Sequence, residues 1–554
     1  MNNIFSNIAH WLSYDPENPL IFTRLFFWAF FAVVLLGYSF VYKKVNVRTI
    51  YLLAASFFFY YQTSGVFLIL LIFTIISDYN WGRLLAKTET PWKRRMFLTF
   101  SVVLNLTLLC YFKYAFFFTE NLNEVAGTDI TFFNHFAHFT NTWFGTSFSV
   151  DKLILPIGIS FFTFQSLSYT IDMYRRKLEP VKNIFDYGFF VCFFPHLVAG
   201  PIVKAHDFIY QIYQPYNLSK REYGMAFFWI LNGLGKKIMA DYVGVNFVDR
   251  IFSHPELYSG VEVVLGIFGY SLQIYADFSG YTDMAIGIAL LLGFRLKTNF
   301  RSPYKAESTS EFWKRWHISL SSWLKEYLYI PLGGNRNGTV GSYVAISILG
   351  IFMVLLYGNV TLIYILLAIA LVLILIARIF PKFRHSVNTN INILVTMLLG
   401  GLWHGSSWMF IIWGGLNGLG LMLHKGWERI NPIKNTSGVG YRAFAIFLTL
   451  VFISFTRIWF RSDSLDTVGI IFDRISHHFG GELIENVLWG YRTVLSVIVV
   501  GYLIHWIPES TKQQYREWFA TRSEPALVAI LIGYIFLLYQ AVSADMQPFI
   551  YFQF

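Results

Sequence analysis

The sequence predicts an all-α polytopic membrane protein: one bundle of about eleven transmembrane helices plus re-entrant or short helices. Three observations predict it. Of 554 residues, 55% are hydrophobic and 14% charged, with a mean hydropathy of +0.50, outside the range of soluble domains. Apolar runs recur from near residue 20 to near residue 541, many of them approaching the roughly 20 residues that a spanning helix needs. Lys and Arg collect in short loops between the runs, the pattern that fixes topology.

Taken in order, the first span runs from Leu20 to Val41 and is followed by Lys43, Lys44 and Arg48. Ile50 to Tyr61 and Val66 to Ile76, separated by Gln62-Thr63-Ser64-Gly65, read as a tight helical hairpin. A basic loop with Arg83, Lys87, Lys93, Arg94 and Arg95 precedes the span from Met96 to Phe118. Residues 114–151 hold no Lys or Arg but include Glu120, Glu124, Asp129 and Asp151, and the run from Leu153 to Tyr174 returns to Arg175, Arg176, Lys177 and Lys182. The excess of positive charge on one side places those loops in the cytoplasm and the N-terminus outside. The first twenty residues have no basic, apolar and small-residue succession, so the first span itself is expected to target the chain.

Beyond residue 185 the runs are interrupted. FPHLVAGP (Phe194 to Pro201) and DFSGYTD (Asp277 to Asp283) read as breaks, which lipid tolerates only inside protein or beside a wet cavity. Tyr343 to Phe380 reads as two close spans. Ile391 to Leu399 leads through GGLWHGSSW into Met409 to Leu423, and Ala443 to Phe460, Leu488 to Ile507 and Ala526 to Ala541 complete the set. The expected organisation is one integral domain over residues 1–554, with a core over about 20–460 and C-terminal helices over about 488–541.

A net charge of +11 in such a chain points to topology and anionic lipid, and no soluble basic module interleaved with aromatics exists to bind nucleic acid. Cys110 and Cys192 lie in hydrophobic runs and read as packing residues.

Two stretches carry candidate chemistry. Ser308 to Gly334, STSEFWKRWHISLSSWLKEYLYIPLGG, opens with the Ser308–Glu311 spacing of a capping box and is ended by Pro331 and Gly333-Gly334. Read as one helix, it aligns Trp313, His317, Leu320, Leu324 and Tyr327 on one face. An ionisable group on an apolar face in a membrane protein is functional by default; the bland alternative is a core histidine bonded to a carbonyl. In GGLWHGSSW, Gly400 to Trp408, His404 lies between Trp403 and Trp408 among glycines, where the alternative is a close helix crossing. An imidazole, with pKa near 6.5, suits a general base, worth about 10² to 10⁴ in rate. No HExxH, closely spaced metal ligands, GxSxG elbow or P-loop is present, so no metal is expected. Asp277, with Gln273, Tyr275, Ser279 and Asp283, should face a cavity or a partner, either lining a polar tunnel or in a salt bridge to Arg295, Arg301 or Lys305.

FPHLVAGP, DFSGYTDMAIGIALLLGF, NFRSPYKAESTSEFWKRWHISLSSWLKEYLYIPLGGN and GLWHGSSWMFIIWGGLNG resemble the signature blocks of the membrane-bound O-acyltransferase (MBOAT) family, most closely its bacterial branch that acts in alginate O-acetylation and teichoic-acid D-alanylation. The resemblance covers roughly residues 20–460. It implies a bundle around a funnel, with the family's essential histidine at His317 and its second at His404 near the narrowest point. It further implies an acyl thioester, most simply acetyl-CoA, arriving from the cytoplasm as a substrate, no bound cofactor, and delivery outward to an exported polysaccharide through a periplasmic or extracellular partner protein at the bacterial inner membrane. On that reading Trp313, Trp316, Trp403 and Trp408 shape the tunnel and exclude water. Gln273, Tyr275 and Asp277 line it, and Lys297, Arg301, Lys305 and Arg315 meet donor phosphates at the cytoplasmic mouth, unless they are ordinary loop charge. The competing expectations are D-alanyl transfer from a carrier protein, a transporter, and a scaffold of an export complex.

Overall fold

The computed structural model describes residues 13–16, 19–151, 154–357, 361, 364–365, 368, 372, 375–376, 379–432, 438–541 and 550. Every regular element among them is helical. The first half comprises α1 (Leu25–Val41), α2 (Val45–Ser64), α3 (Leu68–Lys87), α4 (Pro91–Leu109), α5 (Ile159–Tyr174), α6 (Ile184–Cys192), α7 (Lys220–Val243) and α8 (Gly260–Leu291). The site is completed by α9 (Thr309–Arg315), α10 (Ile318–Leu324), α11 (Pro381–His404), α12 (Trp408–Ile430), α13 (Val439–Arg461), α14 (Arg492–Trp506) and α15 (Glu509–Ala520).

Gly65 enters the turn between α2 and α3 at φ +58, a conformation that glycine adopts without strain. Leu53 of α2 and Ile75 of α3 then converge on Gly188 of α6. The basic loops gather at one end of the bundle, where their arginines satisfy carbonyls at helix ends. Arg48 donates to Ile212 O and Gln214 O at 2.8 and 2.9 Å, and Arg94 donates to Met173 O and Tyr174 O at the end of α5 at 3.0 and 2.9 Å.

Among the described residues, length and composition mark four helices as able to cross a membrane: Val45–Lys87, Pro91–Ala126, α8 and α13. There are up to five if Gly481–Gly490 and α14, bent by 86°, count as one. Eleven spans were expected. The difference arises in helices such as α5, which is only 16 residues long and buries Thr163, Gln165, Ser166, Ser168, Thr170 and Asp172. Ser166 and Asp172 bond within the bundle, Tyr187 Oη to Ser166 Oγ at 3.2 Å and Tyr327 Oη to Asp172 Oδ2 at 2.8 Å, so a buried helix here is polar by composition. Of the pair expected over Tyr343 to Phe380, the first is the helix Val340–Tyr357; most of the rest lies outside the described residues, as do residues 1–12.

Two expectations for single helices fail. DFSGYTD does not break its helix: α8 runs unbroken for 32 residues. Its two acids are matched by consecutive lysines of α7, Lys237 to Asp277 at 2.7 Å and Lys236 to Asp283 at 2.6 Å. Gly280 lets α7 approach so closely that a Cβ there would lie 2.7 Å from Gly233 O. Conversely, the helix through His317 is not continuous. It stops at Arg315, and His317 stands in the break at φ 42, ψ 55 before α10 begins. Of the expected capping box, Ser308 accepts from Glu311 N at 3.1 Å, but Glu311 reaches back to Glu307 N at 2.8 Å and so captures the backbone one residue earlier.

Candidate active site

His317 owes its position to Asn299. A left-handed conformation in a non-glycine residue is costly and persists only where neighbours over-determine it. Here Ile318 N donates to Asn299 O at 2.9 Å, and Arg301 N donates to Arg315 O at 2.9 Å, so the chain before the break is laced to the chain after it. Asn299 Oδ1 accepts from Ser319 N at 3.0 Å and Ser319 Oγ at 2.9 Å, which caps α10 from outside its own sequence. The same oxygen lies 3.3 Å from His317 Nδ1. A backbone N–H can only donate, so this amide atom is oxygen; Ser319 Oγ lies 3.4 Å from the same Nδ1, and the tautomer that donates from Nδ1 to Asn299 leaves the basic lone pair on Nε2. The imidazole is fully buried, edge-on to Phe278 at 4.7 Å between ring centres.

His404 is the last residue of α11, and Gly405 leaves the helix extended. Glycines set this corner: a Cβ at Gly401 would lie 2.2 Å from Phe410 O, so the close crossing of α11 and α12 is real and does not compete with a role for the histidine. The ring is enclosed by Trp403, Trp413 and Phe460, at 4.9, 5.0 and 5.3 Å between centres. A π-helical turn at Cys110–Tyr114 aims two consecutive residues at the end of α11. Lys113 Nζ donates to Trp403 O at 2.5 Å and His404 O at 3.1 Å, and Tyr114 Oη donates to Leu402 O at 2.8 Å. The ammonium thus meets the negative end of the helix that carries His404.

Trp403 joins the two histidines. Its ring lies 6.1 Å from His317 and 4.9 Å from His404 between centres, and the imidazoles are within electrostatic range of each other. Three spaces open among the surrounding helices, and the smallest has His404 in its wall. A cavity of about 1080 Å³ opens at the basic end, lined by Lys236, Arg301, Lys305, Arg315, Lys512 and Arg516. Its apolar wall includes Trp229, Tyr275 and Phe300, and Phe300 in turn stacks near His317 at 6.4 Å. A second cavity, about 380 Å³, is bordered by Gln273, Asp277, Lys237, Asp241, Arg461 and Ser406. A void of about 10 Å³ between helices is lined by Trp316, His404, Trp413, Asn417 and Arg457. Helix α8 touches all three, through Tyr275, Gln273 with Asp277, and Ile274 respectively.

The residues singled out from sequence therefore divide. Trp316 and Trp403 lie against the histidines, and Trp313 stands one ring away, 5.8 Å from Trp413. Trp408 turns aside: its Nε1 donates to Asn121 Oδ1 at 2.9 Å, and it lines none of the three spaces. Gln273, Tyr275 and Asp277 border cavities, but the partner of Asp277 is Lys237 and none of the three cations expected. Arg301, Lys305 and Arg315 line the basic cavity, whereas Lys297 is exposed and paired with Asp207 at 2.6 Å, outside it. Sequence reasoning passed over Asn299, Lys113, Lys237, Arg457 and Lys512. Asp172, His206 and Glu326 have ligand atoms within 4.8 Å of one another, yet Lys177 and Lys204 already neutralise Glu326.

A helical bundle with two buried histidines on either side of one tryptophan matches the class inferred from the sequence blocks. The chain belongs to the membrane-bound O-acyltransferase family, whose profile matches residues 88–355. It is 34% identical over 450 residues to a probable alginate O-acetylase of Azotobacter vinelandii, covering 81% of this chain and 76% of that one. It is 28% identical over 583 positions to a peptidoglycan O-acetyltransferase of Helicobacter pylori, covering 96% and 97%. A teichoic acid D-alanyltransferase of Bacillus subtilis is more distant, 25% identical over 38% of this chain.

Proposed function

We propose that the protein transfers an acetyl group from a thioester donor on the cytoplasmic side to a hydroxyl on the outer side, for an exported glycan, with His317 and His404 at the crossing point. What carries the reading is the pair of imidazoles against Trp403, with Phe300 between His317 and a basic cavity and Gly405, the residue after His404, in the wall of a polar one. By the positive-inside rule the basic cavity faces the cytoplasm. Of the six cations there, Lys236, Arg315 and Arg516 are paired with acids, while Arg301, Lys305 and Lys512 have no carboxylate partner among the described residues and suit the phosphates of coenzyme A; the aromatic wall suits the pantetheine arm and acyl chain.

The acceptor hydroxyl enters from the polar cavity, by way of a periplasmic or extracellular partner protein. Its oxygen attacks the thioester carbonyl as His317 Nε2 takes its proton. The tetrahedral intermediate collapses, the C–S bond breaks, and the thiolate recovers that proton as free thiol. Trp316 and Trp403 exclude water, which would otherwise hydrolyse the donor. His404 stands on the far side of Trp403 and polarises or orients the incoming hydroxyl.

Two acceptor polymers are represented among the relatives. The end-to-end correspondence with the peptidoglycan O-acetyltransferase, 96% of this chain against 81% for the alginate relative, favours a second reading in which the wall glycan receives the ester. D-alanyl transfer rests only on the distant match.

Membrane vesicles of defined orientation test the direction of transfer. Radiolabelled acetyl-CoA should yield ester on acceptor at the opposite face only when it is supplied to the face carrying Arg301 and Lys305. Labelling from the other face, or only with an acylated carrier protein, would refute the donor assignment. The basic cavity also predicts a pH dependence. Burial and the neighbouring Lys305 ammonium bring Lys512 down to about 8. A phosphate-bearing donor binds the protonated form, so acetyl-CoA affinity should fall as pH rises from 7 through 9, and Lys512→Ala should flatten that slope and weaken binding at pH 7. Isothermal titration of the nanodisc-embedded protein reads both.

A further inference from the structure

We propose that Arg457 is a further catalytic residue that binds the carbonyl oxygen of the acyl thioester as it becomes an oxyanion; this rests on the reading above. Arg457 is on α13 and only 4% exposed. Nη1 donates to Ser271 O at 3.1 Å and to Tyr304 Oη, and the guanidinium lies over the Trp316 ring at 4.5 Å from its centre. Nε and Nη2 make no hydrogen bond among the described residues, and no carboxylate there pairs with this charge. Buried guanidinium groups are normally matched by an acid, because leaving water is costly. Around it, Lys237, Lys236 and Arg461 are each matched, by Asp277, Asp283 and Asp249. Lys113 too lacks a carboxylate, but its ammonium is spent on the carbonyls of Trp403 and His404, whereas Arg457 leaves Nε and Nη2 uncommitted among the described residues, inside a membrane bundle, where an ionisable group is functional by default.

Its location supplies the ligand. Arg457 shares the small void with His404 and Trp316, and one helical turn further on Phe460 packs against His404. Tyr304, Ser271 and Trp316 fix the guanidinium, so its remaining N–H groups are held before any charge develops, the arrangement that makes an oxyanion site effective. In the step, the hydroxyl oxygen bonds to the carbonyl carbon and the C=O π pair moves to oxygen. Arg457 then donates to that oxygen, and collapse returns the pair as the C–S bond breaks. No charge is created or lost at Arg457.

The test compares Arg457→Gln and Arg457→Lys with the parent and with His317→Ala, in cells whose own copy is deleted. Ester content of the exported glycan, acetyl-CoA affinity in nanodiscs and thermal midpoint are measured. Arg457→Gln should lower ester formation by about 10²- to 10³-fold, Arg457→Lys by less, with acetyl-CoA affinity and midpoint unchanged. Ester formation within about twofold of the parent overturns the inference. So does a joint fall of midpoint and affinity in both variants, or failure of both to accumulate, which would mark Arg457 as a brace for Trp316 and Tyr304. If only the Gln variant fails to accumulate, Arg457→Lys decides by the same criteria. Normal ester in His317→Ala would instead remove the underlying reading.

Discussion

Replacing His317 by Ala should abolish esterification of the exported glycan while leaving the protein in the membrane at parental abundance. The loss follows from chemistry: a positioned base is worth about 10² to 10⁴ in rate. Retention follows from the geometry. The break at His317 is held by Asn299 O to Ile318 N and by Asn299 Oδ1 to Ser319, neither of which involves the imidazole. His404→Ala should behave alike, since Lys113 and Tyr114 hold the end of α11 through backbone carbonyls. If the two rings act as a unit, the double variant will be no worse than the worse single one. Ester assay of the polymer and immunoblotting of membranes check both. Parental ester content in either single variant would refute its assignment.

The sequence singles out two imidazoles beside tryptophans in apolar runs, and the structure buries both against Trp403. The geometry was less legible. Nothing in RWHISLS signals a helix break, since it contains neither Gly nor Pro. The break is made by an amide 18 residues upstream, and long-range capping leaves no local mark. Asp277 was read correctly as needing a partner, but the search went to loop cations. Lys236 and Lys237, which the sequence analysis did not single out, lie mid-helix in α7, on the surface that α8 covers. Lys113 stood in plain view: a lone cation within CYFKYAFFF should have been treated as Asp277 was, as a buried charge with a purpose. The π-turn that re-aims it has no sequence signature. Length and hydropathy mark fewer clear spans among the described residues than the eleven expected, because helices surrounded by protein exchange apolar surface for polar contacts.

The pairing of α7 with α8 yields the second large effect, and it is asymmetric. Lys237 is bound by two carboxylates, Asp241 at 2.6 Å and Asp277 at 2.7 Å, and its side chain is 1% exposed. Lys237→Met therefore strands the buried Asp277, which also receives Ile550 N at 2.8 Å, and the part-buried Asp241. Breaking a buried pair in this way costs about 3–5 kcal/mol, comparable with the whole stability of many domains. Asp277→Asn leaves Lys237 paired with Asp241, and the new amide oxygen can still accept from Ile550 N and from the ammonium, so its cost should be much smaller. Thermal midpoints of the two variants in detergent should differ in that order, and Lys237→Met combined with Asp277→Leu should recover part of the loss by removing one stranded charge. Equal destabilisation by Lys237→Met and Asp277→Asn would mean that the charge of Asp277, and not its place in a three-member cluster, holds α7 against α8.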